Sequence, residues 1–174
     1  MIEKYTKTAV ILHWLIAVFI VVAFPLGLYM SDLSLSPLKL KLYAYHKWIG
    51  ITVLGLFFLR ILWRLTHRPP ALPDRLQVWE KRLSHSVHGI IYLLLLLVPL
   101  TGWLHSSAAG VSVVYLNLIH LPNLVAKNKE LSNTLKEIHE TLNWVLVSFV
   151  ALHILGAIKH QWRDKVNLLS RMTF

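Results

Sequence analysis

Residues 138–158 read IHETLNWVLVSFVALHILGAI, 21 residues whose only ionisable side chains are His139, Glu140 and His153. A helix needs about 20 apolar residues to cross the hydrocarbon core of a bilayer, so this stretch is long enough to span one. His139 and His153 are 14 residues apart. At about 100° and 1.5 Å per residue they share a helix face within about 40° and lie about 21 Å apart along the axis. One span therefore offers two stacked imidazoles, and an ionisable side chain inside a span is a functional hypothesis by default.

Working outward, three more apolar stretches of similar length cover 9–28, 44–65 and 84–105. The 174-residue chain is 56% hydrophobic and 15% charged, where a soluble domain has about 25% charged residues; its mean hydropathy is +0.56. What lies between the spans is too short and scattered for a second domain, so a soluble enzyme is excluded and any site lies among the helices or at their ends. The expected fold is an all-α membrane protein, a four-transmembrane-helix bundle forming a single domain over 1–174.

The excess of basic over acidic residues, 18 to 8, does not point to nucleic acid, because the positions follow the membrane. Lys4 and Lys7 precede the first span. Arg60, Arg64, Arg68, Arg75, Lys81 and Arg82 cluster between the second and third, and Lys159, Arg163, Lys165 and Arg171 follow the fourth. The other two connections hold only Lys39, Lys41, Lys47, Lys127, Lys129 and Lys136. The positive-inside bias then puts both termini in the cytoplasm, which four spans satisfy. The first span is read as retained rather than as a signal peptide, since no small-residue cleavage site follows Gly27. No charge occurs from Leu83 to Ala126, yet a fifth span over 110–126 is rejected. That piece carries Asn117, His120, Pro122 and Asn123 and would move the basic tail outside; an interfacial helix or packed outer loop fits it better.

Cysteine is absent, which removes thiolate metal sites, iron–sulfur clusters and covalent haem. The histidines pair by depth. His13 lies six residues past Lys7 and His153 six before Lys159, each about 9 Å from the inner boundary; His46 and His139 match near the outer one. Two imidazoles from facing helices, in an apolar surround without carboxylate or thiolate, suit a six-coordinate haem iron, whereas zinc would want more ligands. Gly50, Gly89 and Gly102 would leave room for a flat ring. Arg60, 14 residues beyond His46, falls at the inner depth and would pair with a propionate, as Lys136 would outside. Arg82, His85, His88 and His160 gather at the inner surface as candidates for a quinone site, which needs proton donors and hydrogen-bond partners. His85 and His88 are also the rivals to His13 as inner ligands. The plainer readings are packing glycines, anchoring arginines and an interface belt of Trp14, Trp48, Trp63, Trp103, Trp144 and Trp162.

With these residues placed, the chain resembles the prokaryotic di-haem cytochrome b561 family from about Tyr5 to Leu168. The matching pieces are Lys4-Tyr5 with His13-Trp14, His46 with Gly50, Arg60 with Arg64, Pro69-Pro70, His85 and His88 with Tyr92, Pro99 with Gly102, His139-Glu140 and Leu152-His153. The resemblance implies two b haems, one on His13 and His153 and one on His46 and His139, with electrons passing to or from quinone. In superoxide oxidase members of the family, periplasmic superoxide is the donor and ubiquinone the acceptor. The expected protein is thus a multi-pass cytochrome of the bacterial inner membrane, an oxidoreductase joining an outer donor, superoxide first, to the quinone pool. Two alternatives are a cytochrome relay for a partner dehydrogenase or periplasmic redox protein, and a non-redox metal-binding membrane protein.

Overall fold

The computed structural model describes residues 4–71, 73, 76–163 and 167–173; Arg75 and Lys165, counted above in the inner charge, lie outside the described residues. Four helices follow in order: α1 (Lys7–Asp32), α2 (Pro37–Thr66), α3 (Val78–Ala108) and α4 (Lys129–Trp162). Each is long and apolar enough to cross a membrane. A two-stranded antiparallel hairpin, β1 (Val114–Tyr115) and β2 (Ile119–His120), sits between α3 and α4, and a 3-10 turn over Leu169–Met172 ends the chain. The 110–126 segment is therefore a loop carrying a short hairpin and not a helix.

Every helix outruns its apolar stretch, because hydropathy marks the part in hydrocarbon while the ends are set by caps. Thr6 accepts from the Ala9 amide, Ser36 from Lys39 and Asn128 from Leu131. Gln77 and Glu80 form a reciprocal capping box that starts α3 six residues before the expected span begins. The 34 residues of α4 extend about 51 Å against a core of about 30 Å, so its charged first turns project beyond the bilayer.

Backbone packing is close for α3 on α4, α1 on α2 and α2 on α3, and sparse between α4 and the α1–α2 pair. Ile16, Val53, Phe57 and Leu95 make one buried cluster, and Leu94, Val98 and Leu146 a second. Facing outward, Val21, Leu62 and Leu155 are exposed, the apolar surface that lipid covers. Both termini lie at one end of the bundle: the Tyr5 amide donates to the Arg171 carbonyl at 3.2 Å, and the buried Arg171 guanidinium donates to the Ala71 carbonyl at 2.9 Å.

Four of the tryptophans expected as an interface belt tie connections to helices through their indole N–H. Trp14 donates to the Met172 carbonyl, Trp48 to Val114, Trp63 to the Thr6 hydroxyl and Trp103 to Pro122. Two histidines without an expected role are structural: His67 stacks on Trp63, and His105 Nδ1 bonds the Ser132 carbonyl, joining the outer ends of α3 and α4.

Candidate functional site

Two imidazole pairs cross the sparse side of the bundle. His13 of α1 faces His153 of α4 with ring centroids 6.2 Å apart and planes at 77°. His46 of α2 faces His139 of α4, also at 6.2 Å, with planes at 88°. An imidazole nitrogen sits about 2.0–2.1 Å from a metal and its ring centre about 1 Å further, so rings on opposite sides of one metal have centroids roughly 6 Å apart. Both pairs fit that arrangement. Among the described residues no three His, Cys, Asp or Glu side chains gather for a bare metal ion. A porphyrin, which brings its own four equatorial donors, needs only the two.

The outer pair lines an apolar cleft with Ile20, Phe24, Gly50, Val53 and Leu95. His46 Nδ1 is buried there without a hydrogen-bond partner. His139 is held by its other edge: Nδ1 lies 2.9 Å from the Val98 carbonyl and 3.3 Å from the Thr101 hydroxyl. Such a bond fixes a histidine's orientation and leaves Nε2 for a ligand. A glycine backs each ring. A Cβ on Gly27 would come 3.1 Å from His46 Cε1, and one on Gly102 3.0 Å from His139 Cε1. Gly102 thus seats a histidine. Gly50 lines the cleft, and a Cβ on Gly50 or Gly89 would meet nothing within 4 Å.

The inner pair has polar company. The His88 ring is 5.0 Å from His153, deeper than its expected place beside His85 and His160, and its Nδ1 donates to the Ser84 carbonyl at 2.6 Å. Arg60 reaches the same level, donating from Nε to the Tyr92 hydroxyl at 2.9 Å and from Nη1 to the Ala9 carbonyl at 3.0 Å. The Arg64 guanidinium lies 5.4 Å from the centre of the Tyr92 ring. His85 and Arg82 are exposed towards the start of α3. His160 follows Lys159, which pairs with Glu80 and lies over Trp79.

Gly27 escaped sequence reasoning as a site residue, although a signal for it existed. The 14-residue step that stacks His139 and His153 recurs on every helix, as His13 to Gly27, His46 to Arg60 and His88 to Gly102. Each step joins the inner level to the outer one, and two of its outer members are the glycines behind the ligand rings.

Comparison with known proteins agrees with this architecture. The family described as prokaryotic cytochrome b561 matches residues 4–174. Cytochrome b561 homolog 2 of Escherichia coli (strain K12) is 29% identical over 98% of this chain and 91% of its own length. A probable superoxide oxidase CybB of Yersinia pestis is 29% identical over 98% and 96%. Cytochrome b561 homolog 1 of Escherichia coli (strain K12) is 26% identical over 98% and 97%.

Proposed function

The chain belongs to the prokaryotic cytochrome b561 family, whose members bind haem b and transfer electrons in the membrane, and from that premise we propose that it holds two haems b and carries electrons from superoxide to quinone. His13 with His153 would hold one haem and His46 with His139 the other. The observation that carries this reading is the pair of equal 6.2 Å ring separations at two levels of one helix, α4. Bound there, haem would supply reversible one-electron storage, with the four histidines holding it.

The protein's own residues divide the remaining work. Two histidines at each level leave no coordination position for oxygen, so the donor gives up its electron without bonding to iron. Two superoxide anions would leave as two molecules of dioxygen, and one quinone would take up the two electrons and two protons to become quinol. Protons at the inner surface would come through His85, His88 and His160, with Arg82 as the cationic partner for a quinone oxygen. Arg60, already oriented by Tyr92 and Ala9, keeps unused guanidinium donors for a propionate. The name of the Yersinia pestis relative and the outer lysines support superoxide as donor. Those lysines are not equivalent, however. Lys39 caps the carbonyls of Ser31 and Leu33, Lys47 is half-buried, and Lys136 pairs with Glu140 at 3.6 Å, which leaves the exposed Lys41, Lys127 and Lys129 as the stronger attractors of an anion. The basic connections support both termini in the cytoplasm, and the prokaryotic family with its four apolar helices supports a bacterial inner-membrane location, where ubiquinone would be the acceptor.

Stopped-flow mixing of the purified haem-loaded protein with superoxide tests this. The haems should reduce rapidly, the rate should fall as salt screens the outer field, and Lys41→Glu with Lys127→Glu should slow it further. Failure with superoxide alongside success with dithionite would overturn the donor and leave the relay for a partner dehydrogenase.

A further inference from the structure

The outer hairpin has features that electron transfer does not use. The Leu118 amide donates to the Tyr115 carbonyl at 3.0 Å, closing a tight turn whose central residues, Leu116 and Asn117, have φ of 51° and 58°. Turns of this class favour Asn-Gly or Asp-Gly, because a left-handed backbone strains any residue with a bulky Cβ. A leucine holds the first of those positions, and such strain persists only where something offsets it. The tip is also apolar and uncovered: Leu116 is 49%, Leu118 79% and Ile119 56% exposed. In water this would be a costly turn displaying three greasy side chains.

Its position supplies the explanation. The two histidine levels are about 21 Å apart along α4 and the inner one lies about 9 Å from the inner boundary, so in a core of about 30 Å the outer level falls at about the opposite surface. The hairpin is tied to α2 just inside the outer level, by Trp48 Nε1 to the Val114 carbonyl at 2.7 Å and by the Thr52 and Tyr115 hydroxyls at 3.0 Å. Trp48 and Thr52 lie about 200° and 240° around α2 from His46, on the side turned away from the histidine pair. The hairpin therefore clasps α2 from the lipid side at headgroup depth. Backbone groups there favour partners within the protein, and several have one: the strands pair, Leu121 donates to the Val113 carbonyl, and the Trp48 indole donates to the Val114 carbonyl.

We propose that residues 111–121 form a lipid-anchored hairpin, seated at the headgroup–acyl boundary of the outer leaflet with Leu116, Leu118 and Ile119 among the acyl chains. The occupant of this surface is lipid, continuous with the apolar belt of the helices. The anchor does not depend on which donor or acceptor the protein uses.

The absence of cysteine makes a direct test simple. A nitroxide is attached at Leu118→Cys, at Leu116→Cys as a second tip position, and at Asn133→Cys on exposed α4 as the aqueous reference. The full haem-loaded protein is reconstituted in vesicles of phosphatidylethanolamine and phosphatidylglycerol. Collision of each label with oxygen, which partitions into lipid, is compared with collision with a water-soluble nickel chelate. The tip labels should favour oxygen over nickel about tenfold more than the Asn133 label does. Nickel access at the tip equal to that at Asn133 would overturn the proposal in favour of a water-exposed loop. Poor access to both probes would overturn it in favour of burial beneath a second copy of the chain.

Discussion

The two histidine levels pair imidazoles at the same 6.2 Å separation but in unlike surroundings. The outer pair sits in an apolar cleft, with a glycine behind each ring and His139 oriented by the Val98 carbonyl and the Thr101 hydroxyl. The inner pair shares its space with a third imidazole, His88, and with Arg60 bound to Tyr92. The contrast teaches that the ligands set the coordination while the neighbours set the task. A site of mostly apolar lining and no nearby cation suits electron exchange alone. One with an extra imidazole and a cation suits a partner that also needs protons.

The test that would undo this contrast altogether is orientation. A reporter fused to the C-terminus should read cytoplasmic, since the connections rich in Lys and Arg lie at that end; a periplasmic reading would exchange the two levels and their tasks. Next in size are the ligands. His139→Ala or His46→Ala should lose about half the haem by pyridine haemochrome and spare the inner site, and His13→Ala or His153→Ala should do the reverse, because removing either partner leaves an iron one axial bond short. His88→Ala should retain both haems. If His88→Ala lost half the haem while His13→Ala kept it all, the inner pair would be His88 with His153.

The glycines sharpen the contrast more gently. Gly27→Ala and Gly102→Ala each press a methyl to about 3 Å of an outer ligand ring. Each should lower thermal stability by about 1–3 kcal/mol and shift the outer haem's absorption while leaving the inner one in place. Gly89→Ala, which meets nothing within 4 Å, should do neither. Smallest is Trp14→Phe, which removes the indole bond to the Met172 carbonyl beside His13. It should cost about 1 kcal/mol, seen by denaturation, with haem content unchanged at both levels.

Much of this was legible in the chain, for reasons that residue spacing makes plain. Four apolar stretches and the 14-residue step on α4 follow from helix geometry and bilayer thickness alone, so the spans and the depth of His13, His46, His139 and His153 could be read directly. Helix ends could not be placed that way. Capping by Gln77 with Glu80, or by Asn128, is a local polar bargain to which hydropathy is blind. His88 is legible only as a rival to His13 and not as a neighbour of the pair, because α3 begins six residues before its apolar stretch and carries His88 deeper than hydropathy suggests. Nor does a sequence reveal that Arg171 folds back, buried, onto the Ala71 carbonyl, since that contact joins residues 100 apart through loop geometry.

The sparse packing between α4 and the α1–α2 pair bears on how the chain comes together. The bundle resembles a book whose spine is the α2–α3 contact and whose free edge is the seam between α1 and α4, held by His13 against His153 and by Phe24 against Trp144. Membrane helices insert first and associate afterwards, so the spine can close as soon as α3 is in place, whereas the free edge must wait for the last helix to be synthesised. Whatever binds between the pages also stabilises the closed book by mass action. Haem supply would then govern how much of the protein survives: newly made chains that lack it would remain ajar, and the proteases that patrol the membrane would meet them first.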